Sequence, residues 1–152
     1  MEIKPAWKDH PLTKQGYVEL ISTDWLYNIR GQDVSPLADL KNGSLVDIDT
    51  LWENIVAEGL HDPVVIRVGT KNRKYRLESG NHRIQVLKKY GVLFTPATVQ
   101  VQEDCGPQSP DIMTDANHNY ELSEKISGSD LKIGYMKPST IFHDLRNDIK
   151  KF

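Results

Sequence analysis

The stretch from Val64 to Ser79 constrains the fold most. Val64-Val65-Ile66-Arg67-Val68 is β-branched throughout except for one charge, the composition of a strand rather than a helix. Gly69 to Arg73 reads as a turn. Lys74-Tyr75-Arg76-Leu77-Glu78 then alternates polar and apolar side chains, as a strand with one buried face does. Two strands so closely linked predict a hairpin.

Helices are predicted on both flanks. Thr50-Leu51-Trp52-Glu53 has the capping-box pattern, with Thr50 as N-cap and Glu53 reaching back. The helix then runs to about Glu58, with the pairs Leu51/Ile55 and Trp52/Val56 on its buried side, and Gly59 stops it. Leu60-His61-Asp62-Pro63 is a tight link into the first strand. Beyond the hairpin, Glu78-Ser79-Gly80-Asn81-His82-Arg83 opens a short helix, Ile84 to Tyr90, ended by Gly91. Arg83, Val86, Leu87 and Tyr90 share one face of it. Ala97 to Gln102 alternates again and predicts a third strand.

The turn before that helix is where chemistry is expected. Free N–H groups and the positive end of the helix dipole favour an anion there. Arg83 adds a fork of donors suited to phosphate oxygens, and His82 another donor. Glu78 is a candidate base or metal contact, equally a strand residue facing solvent. Asp62 is a candidate acid, or simply a residue preceding a proline turn.

Outside this centre the signals are weaker. Met1 to Gln15 is polar with two prolines and reads as an arm, followed by a strand over Tyr17 to Ser22. Gly31 to Ser44 reads as a loop, and Glu103 to Pro110 as an acidic linker. Ile112 to Lys125 has helical composition with weak periodicity. A last helix is expected over Thr140 to Lys151, with Ile141, Leu145 and Ile149 spaced i,i+4. The reading divides the chain into an arm over 1–15, a domain over 16–103 and a C-terminal extension over 104–152. Asn117, His118 and Asn119 form a polar cluster, either a substrate wall or a solvated loop. Trp7, Trp25 and Trp52 are expected in or near the core.

Length and composition set the bounds. The chain's 152 residues suffice for one domain with a core. A net charge of -2 argues against nucleic-acid binding by bulk electrostatics. Lys71, Arg73, Lys74, Arg76, Lys88 and Lys89 could still form a local patch, or a solvated face. The single cysteine, Cys105, excludes an internal disulfide and a CxxC site, and its neighbours Glu103 and Asp104 disfavour a thiolate. Met1 to Asp9 lacks the apolar core of a signal peptide, and no apolar run reaches the ~20 residues of a membrane span. A cytoplasmic location is the expectation.

The order of elements from Asp47 to Val101 resembles the N-terminal domain of the ParB/sulfiredoxin superfamily. The match rests on Glu58-Gly59-Leu60, Asp62-Pro63-Val64-Val65-Ile66, the hairpin ending in Leu77-Glu78-Ser79-Gly80-Asn81-His82-Arg83, and the helix leading to Gly91 and Thr95-Pro96-Ala97. The resemblance implies an α/β (α+β) single domain, a small mixed sheet with packed helices. It also implies a Gly-x-x-Arg turn that cradles the phosphates of ATP, ADP or CTP, with Mg²⁺ as companion. Carried over by position, Gly80 gives close backbone approach, Asn81 and His82 offer donors, and Arg83 neutralises phosphate charge.

Departures from the family sort its branches. Asn81 stands where sulfiredoxins carry the nucleophilic cysteine, so reduction of sulfinic acid is not expected. His82 replaces one of the two arginines of ParB partition proteins, and nothing downstream reads as a helix-turn-helix. The His-Arg pair is closer to the Gly-His-His-Arg of the superfamily's free-serine kinases. The expected function is a Mg²⁺-dependent enzyme that uses a nucleoside tri- or diphosphate, with Glu78, His82 or Asp62 in catalysis and a small molecule as acceptor. A nuclease, and a non-catalytic nucleotide-gated module acting on DNA or a protein, remain alternatives.

Overall fold

Strand β2 (Val64–Gly69) carries the centre of the sheet, because Val64, Ile66 and Val68 are all fully buried on one of its faces. In the computed structural model, residues 3–29, 48–105 and 119–150 are described. β2 pairs antiparallel with β3 (Lys74–Ser79), forming the hairpin that the alternation predicts. Its other edge runs parallel to β4 (Phe94–Gln102). The chain reaches β4 through helix α4 (Asn81–Lys89), which buries Ile84, Val86 and Leu87. β4 starts earlier than Ala97: Thr95 and Pro96 join it, and Thr95 Oγ1 bonds the buried Thr23 hydroxyl at 2.7 Å.

The edge of β4 opposite β2 is shared. β1 (Glu19–Ser22) pairs antiparallel with Phe94 to Ala97, and β6 (Gly134–Met136) pairs antiparallel with Val99 to Val101. β7 (Ile149–Lys150) extends the sheet beyond β1, and β5 (Tyr120–Glu121) extends it beyond β3. Seven strands thus form one mixed sheet among the described residues. Helices α2 (Thr23–Ile29) and α3 (Ile48–Glu58) pack against α4, so Leu26, Ile29, Trp52 and Ile55 join the core. Trp52 stacks on Tyr90 at 4.5 Å, coupling α3 to the end of α4.

Several expectations change. Helix α3 begins at Ile48, so Thr50 lies inside it rather than capping it. Its buried pair is Trp52 with Ile55, an i,i+3 spacing, while Val56 is 41% exposed. Gly59 does end the helix, at φ +94°. A Cβ there would sit 2.8 Å from the Lys4 carbonyl oxygen, because the N-terminal segment docks on this stop. Trp7 N–H donates to Leu60 O at 2.7 Å, and the Trp7 ring is buried. Residues before Gln15, expected as an arm, therefore hold one core side chain, a 3-10 turn (Ala6–Asp9) and the short helix α1 (Pro11–Lys14).

The predicted helix over Thr140 to Lys151 is not formed. Helix α5 (Pro138–Ile141) is a single turn, a 3-10 turn covers His143–Asn147, and Ile149 and Lys150 enter the sheet as β7. The i,i+4 spacing of Ile141 and Leu145 is met by burial of both from separate short elements. Pairing with the exposed edge of β1 outweighs the weak helix propensity of the segment. Tyr120 and Glu121 likewise form a strand inside the stretch of helical composition. The predicted loop over 31–44, the linker residues 106–110, and Asn117 and His118 lie outside the described residues. No described helix is long and apolar enough to cross a membrane.

Candidate functional site

The turn from Glu78 to Arg83 sits at the end of the sheet where β2 begins. Ser79 pairs with Val65, whereas the next pair is Leu77 with Ile66, so Glu78 is the extra residue of a bulge. Such a bulge re-aims the strand end, and the chain turns into α4 through Gly80. Gly80 is the N-cap, at φ +111° and ψ 14°, and no side chain caps the helix from that position. A Cβ at residue 80 would lie 2.4 Å from Val64 Cγ1 and 2.9 Å from Val64 Cβ, and Val64 is fully buried. Glycine is thus required twice, by backbone conformation and by packing.

Arg83 folds back over this turn. Its guanidinium donates to the Asp62 carbonyl oxygen at 2.5 Å and to Ser79 Oγ at 3.4 Å. Both acceptors are neutral, and among the described residues no carboxylate lies within ion-pair distance of it. Burial pulls the Arg83 pKa down, and the nearby Asp62 charge opposes that. The group stays protonated, since arginine keeps its charge in proteins. A half-buried cation is therefore held at the start of α4 with its charge uncompensated at short range.

The other predicted residues divide into two groups. Asp62 is brought to the turn through its backbone; its side chain, 70% exposed, lies 3.6 Å from His10 Nε2. His10 Nδ1 accepts from the Leu12 N–H at the start of α1, which leaves Nε2 as the protonated nitrogen facing Asp62. His82 is half-buried in the first turn of α4, and its side chain makes no hydrogen bond or ion pair among the described residues. Gly80, His82, Arg83 and Asp62 are thus gathered at one place, with Asn81 between them in sequence as the first residue of α4.

Glu78 is engaged elsewhere. Its Oε1 lies 3.1 Å from an Arg67 nitrogen, and its Oε2 lies 2.9 Å from an Arg76 nitrogen. Arg67 and Arg76 face each other across β2 and β3, an arrangement that repels without an anion between them. Glu78 supplies that anion, and no hydrogen bond or ion pair links it to Arg83 or Asp62 among the described residues.

Four lysines of the hairpin and α4 are paired locally, and Arg73 is tied to backbone carbonyls. Lys71 pairs with Glu103 at 3.3 Å, Lys74 with Glu121 at 3.7 Å, Lys88 with Asp24 at 2.6 Å and Lys89 with Asp49 at 3.3 Å. Arg73 donates to the Ser123 and Ile126 carbonyls. A solvated, paired face describes these side chains better than a continuous anion-binding patch.

Cys105 is buried beneath the hairpin, and its Sγ lies 2.9 Å from the Lys74 carbonyl oxygen. Burial pushes its thiol pKa up, against the smaller pull of Arg76. Two further clefts exist: one of about 290 Å³ beside Trp25, Tyr75 and Phe142, and an open one of about 460 Å³ beside β6. Neither is lined by any residue of the turn. Sequence reasoning missed His10 and Val64 as parts of the site. Only the core signal of Val64, directly after Pro63, pointed to it. Comparison with family models, with curated proteins and with solved structures gave no match to this chain.

Proposed function

We propose that the turn from Ser79 to Arg83 holds the phosphates of a nucleotide, and that the chain is a ParB/sulfiredoxin-type protein using ATP, ADP, CTP or a relative with Mg²⁺. The observation that carries this reading is Arg83: a half-buried guanidinium at the uncapped start of α4, bonded only to neutral oxygens. An anion placed there meets the charge, the first-turn N–H groups and the helix dipole together. His82 adds a donor. Gly80 keeps the backbone approachable, although its packing on Val64 already accounts for a glycine.

Among the described residues, no three His, Cys, Asp or Glu side chains cluster as a metal cage. Mg²⁺ is commonly held by substrate phosphates with one or two carboxylates. Asp62 is the carboxylate whose charge acts on Arg83. The cation would neutralise phosphate charge, and this chain's part is positioning and charge compensation. In this reading the enzyme hydrolyses the nucleotide or passes a phosphate to a small acceptor.

A second reading, a nucleotide-gated module without turnover, is favoured by one observation. Glu78, with Asp62 one of the two base candidates in the sequence, has both oxygens bound by guanidinium groups. A nuclease reading would use the same turn on a backbone phosphate. Melting shifts with ATP, ADP, CTP and GTP plus Mg²⁺, on wild type and Arg83→Ala, test the cradle. A shift in the wild type that Arg83→Ala abolishes is expected. No shift with any nucleotide overturns the cradle, and an equal shift in the variant removes Arg83 from it. Phosphate release then separates enzyme from switch, and DNA cleavage without nucleotide identifies the nuclease.

A further inference from the structure

β6 differs from the other strands that flank β4. It shares one edge of β4 with β1, and β7 covers β1, but among the described residues no strand covers β6. An uncovered strand presents unpaired N–H and C=O groups to any extended chain. Native edges are usually blunted by shortness, charge, proline or bulges, and β6, three residues long with Lys132, Lys137 and Pro138 around it, has part of that protection. It nonetheless exposes Ile133 to 66% and Tyr135 to 37%, two of the four large apolar side chains most exposed among the described residues. The open cleft of about 460 Å³ runs alongside, lined by Tyr17, Ile133, Tyr135 and Met136 together with Lys132 and Lys137.

The two lysines specify the partner. Lys71, Lys74, Lys88 and Lys89 each have a carboxylate within 4 Å, as described above. Lys132 and Lys137 have none among the described residues, and both are exposed. They bracket β6, one on each side of Gly134–Met136. Five residues of chain, bent at Ile133, separate them by at most about 17 Å. We infer that the β6 edge takes up an extended peptide segment of a partner protein, apolar in its middle and acidic near both ends. The segment adds a strand beside β6, its apolar side chains cover Ile133 and Tyr135, and its carboxylates meet Lys132 and Lys137. This inference is independent of the nucleotide reading, because β6 lies on the side of β4 away from β2 and the turn.

The probe is a capped octapeptide of alternating valine and threonine with a glutamate near each end. Three comparisons accompany it: a twin with lysine for glutamate, a twin N-methylated on alternate backbone nitrogens, and the protein variant Lys132→Glu/Lys137→Glu. Binding is followed by fluorescence anisotropy and by amide chemical shifts. The expected result is saturable binding of the acidic peptide, with the largest shifts in residues 132–137. Reversing both exposed lysines weakens it about tenfold, as two surface ion pairs turned repulsive would. The lysine twin and the N-methylated twin bind at least as much more weakly. Ile133→Ser serves as a second variant, with melting curves to show that both variants fold. Absence of binding at about 1 mM peptide, equal affinity for either twin, unchanged affinity in both variants, or shifts confined to another surface overturns the inference.

Discussion

Arg83 and the pair Arg67/Arg76 are separated by only a few residues of one hairpin and the turn that follows it, yet they are treated in opposite ways. Arg67 and Arg76 are ion-paired to a single carboxylate, Glu78, whose two oxygens they divide. Arg83 meets a carbonyl and a hydroxyl. The first arrangement is complete within the protein. It allows two like charges to sit opposite each other on adjacent strands, and it asks for no outside anion. The second fixes the guanidinium in place without compensating its charge. Counting basic residues in the sequence cannot separate these cases; only the placement of the acids does.

The sharpest way to break the comparison is at the backbone that sets Arg83 in position. Gly80→Ala forces a side chain into a left-handed conformation and into Val64, which is fully buried and cannot yield. A loss of roughly 2–4 kcal/mol in unfolding free energy is expected, from strain and overpacking together. Urea denaturation measures it. A variant within about 0.5 kcal/mol of wild type, the range of an ordinary surface change, would mean that the turn relaxes freely and that Gly80 is not fixed by packing.

Glu78→Gln attacks the other side of the comparison. It keeps the shape and removes the charge that separates Arg67 from Arg76. Arg67 Nε is already buried with no hydrogen-bond partner among the described residues, so the cluster has little slack. A destabilisation of about 1–2 kcal/mol is expected, the scale of partly exposed charge-assisted bonds. The nucleotide-dependent melting shift should persist, because the Glu78 carboxylate pairs with Arg67 and Arg76 and not with Arg83. If stability is unchanged but turnover disappears, Glu78 is the base rather than a structural anion, and the two regions are not chemically separate.

The centre of the fold was legible because its residues carry local and periodic signals at once. The hairpin, α4 and the stop at Gly59 follow from β-branched runs, alternation and glycines. The N-terminus of α3 was misread because Thr50 and Glu53 form a capping pattern that the two residues before it extend past. The C-terminal segment was misread for a different reason. Ile141, Leu145 and Ile149 fit a helical stripe, but an unpaired edge at β1 several dozen residues away decides the outcome for Ile149. At the turn, the structure joins Arg83 to the backbone carbonyl of Asp62, while the Asp62 side chain turns to His10. The sequence could not show that Glu78 points to Arg67 and Arg76, because the bulge that places it depends on register.

Cys105 gives the smallest test, and it belongs to the self-contained side. The turn itself carries no thiol, and the chain's own thiol is buried under the hairpin, its Sγ against the Lys74 carbonyl. Burial raises its folded pKa above the ordinary value of 9.0. A raised folded pKa means that the unfolded thiol ionises first as the pH climbs. The thiol's contribution is therefore complete below pH 9 and is lost above it. Tyr75 is raised above its ordinary value of 10.0, also by burial, so the wild type should lose stability above pH 9 and on a second count above pH 10. Cys105→Ala lowers stability at every pH by removing packed volume, but its decline over that range should be shallower than the wild type's. Melting temperatures at half-unit steps give the two slopes. Identical slopes would show that Cys105 is already accessible to solvent in the folded state. Iodoacetamide would then alkylate it without unfolding, and the hairpin would not be the closed unit that sets it apart from the turn.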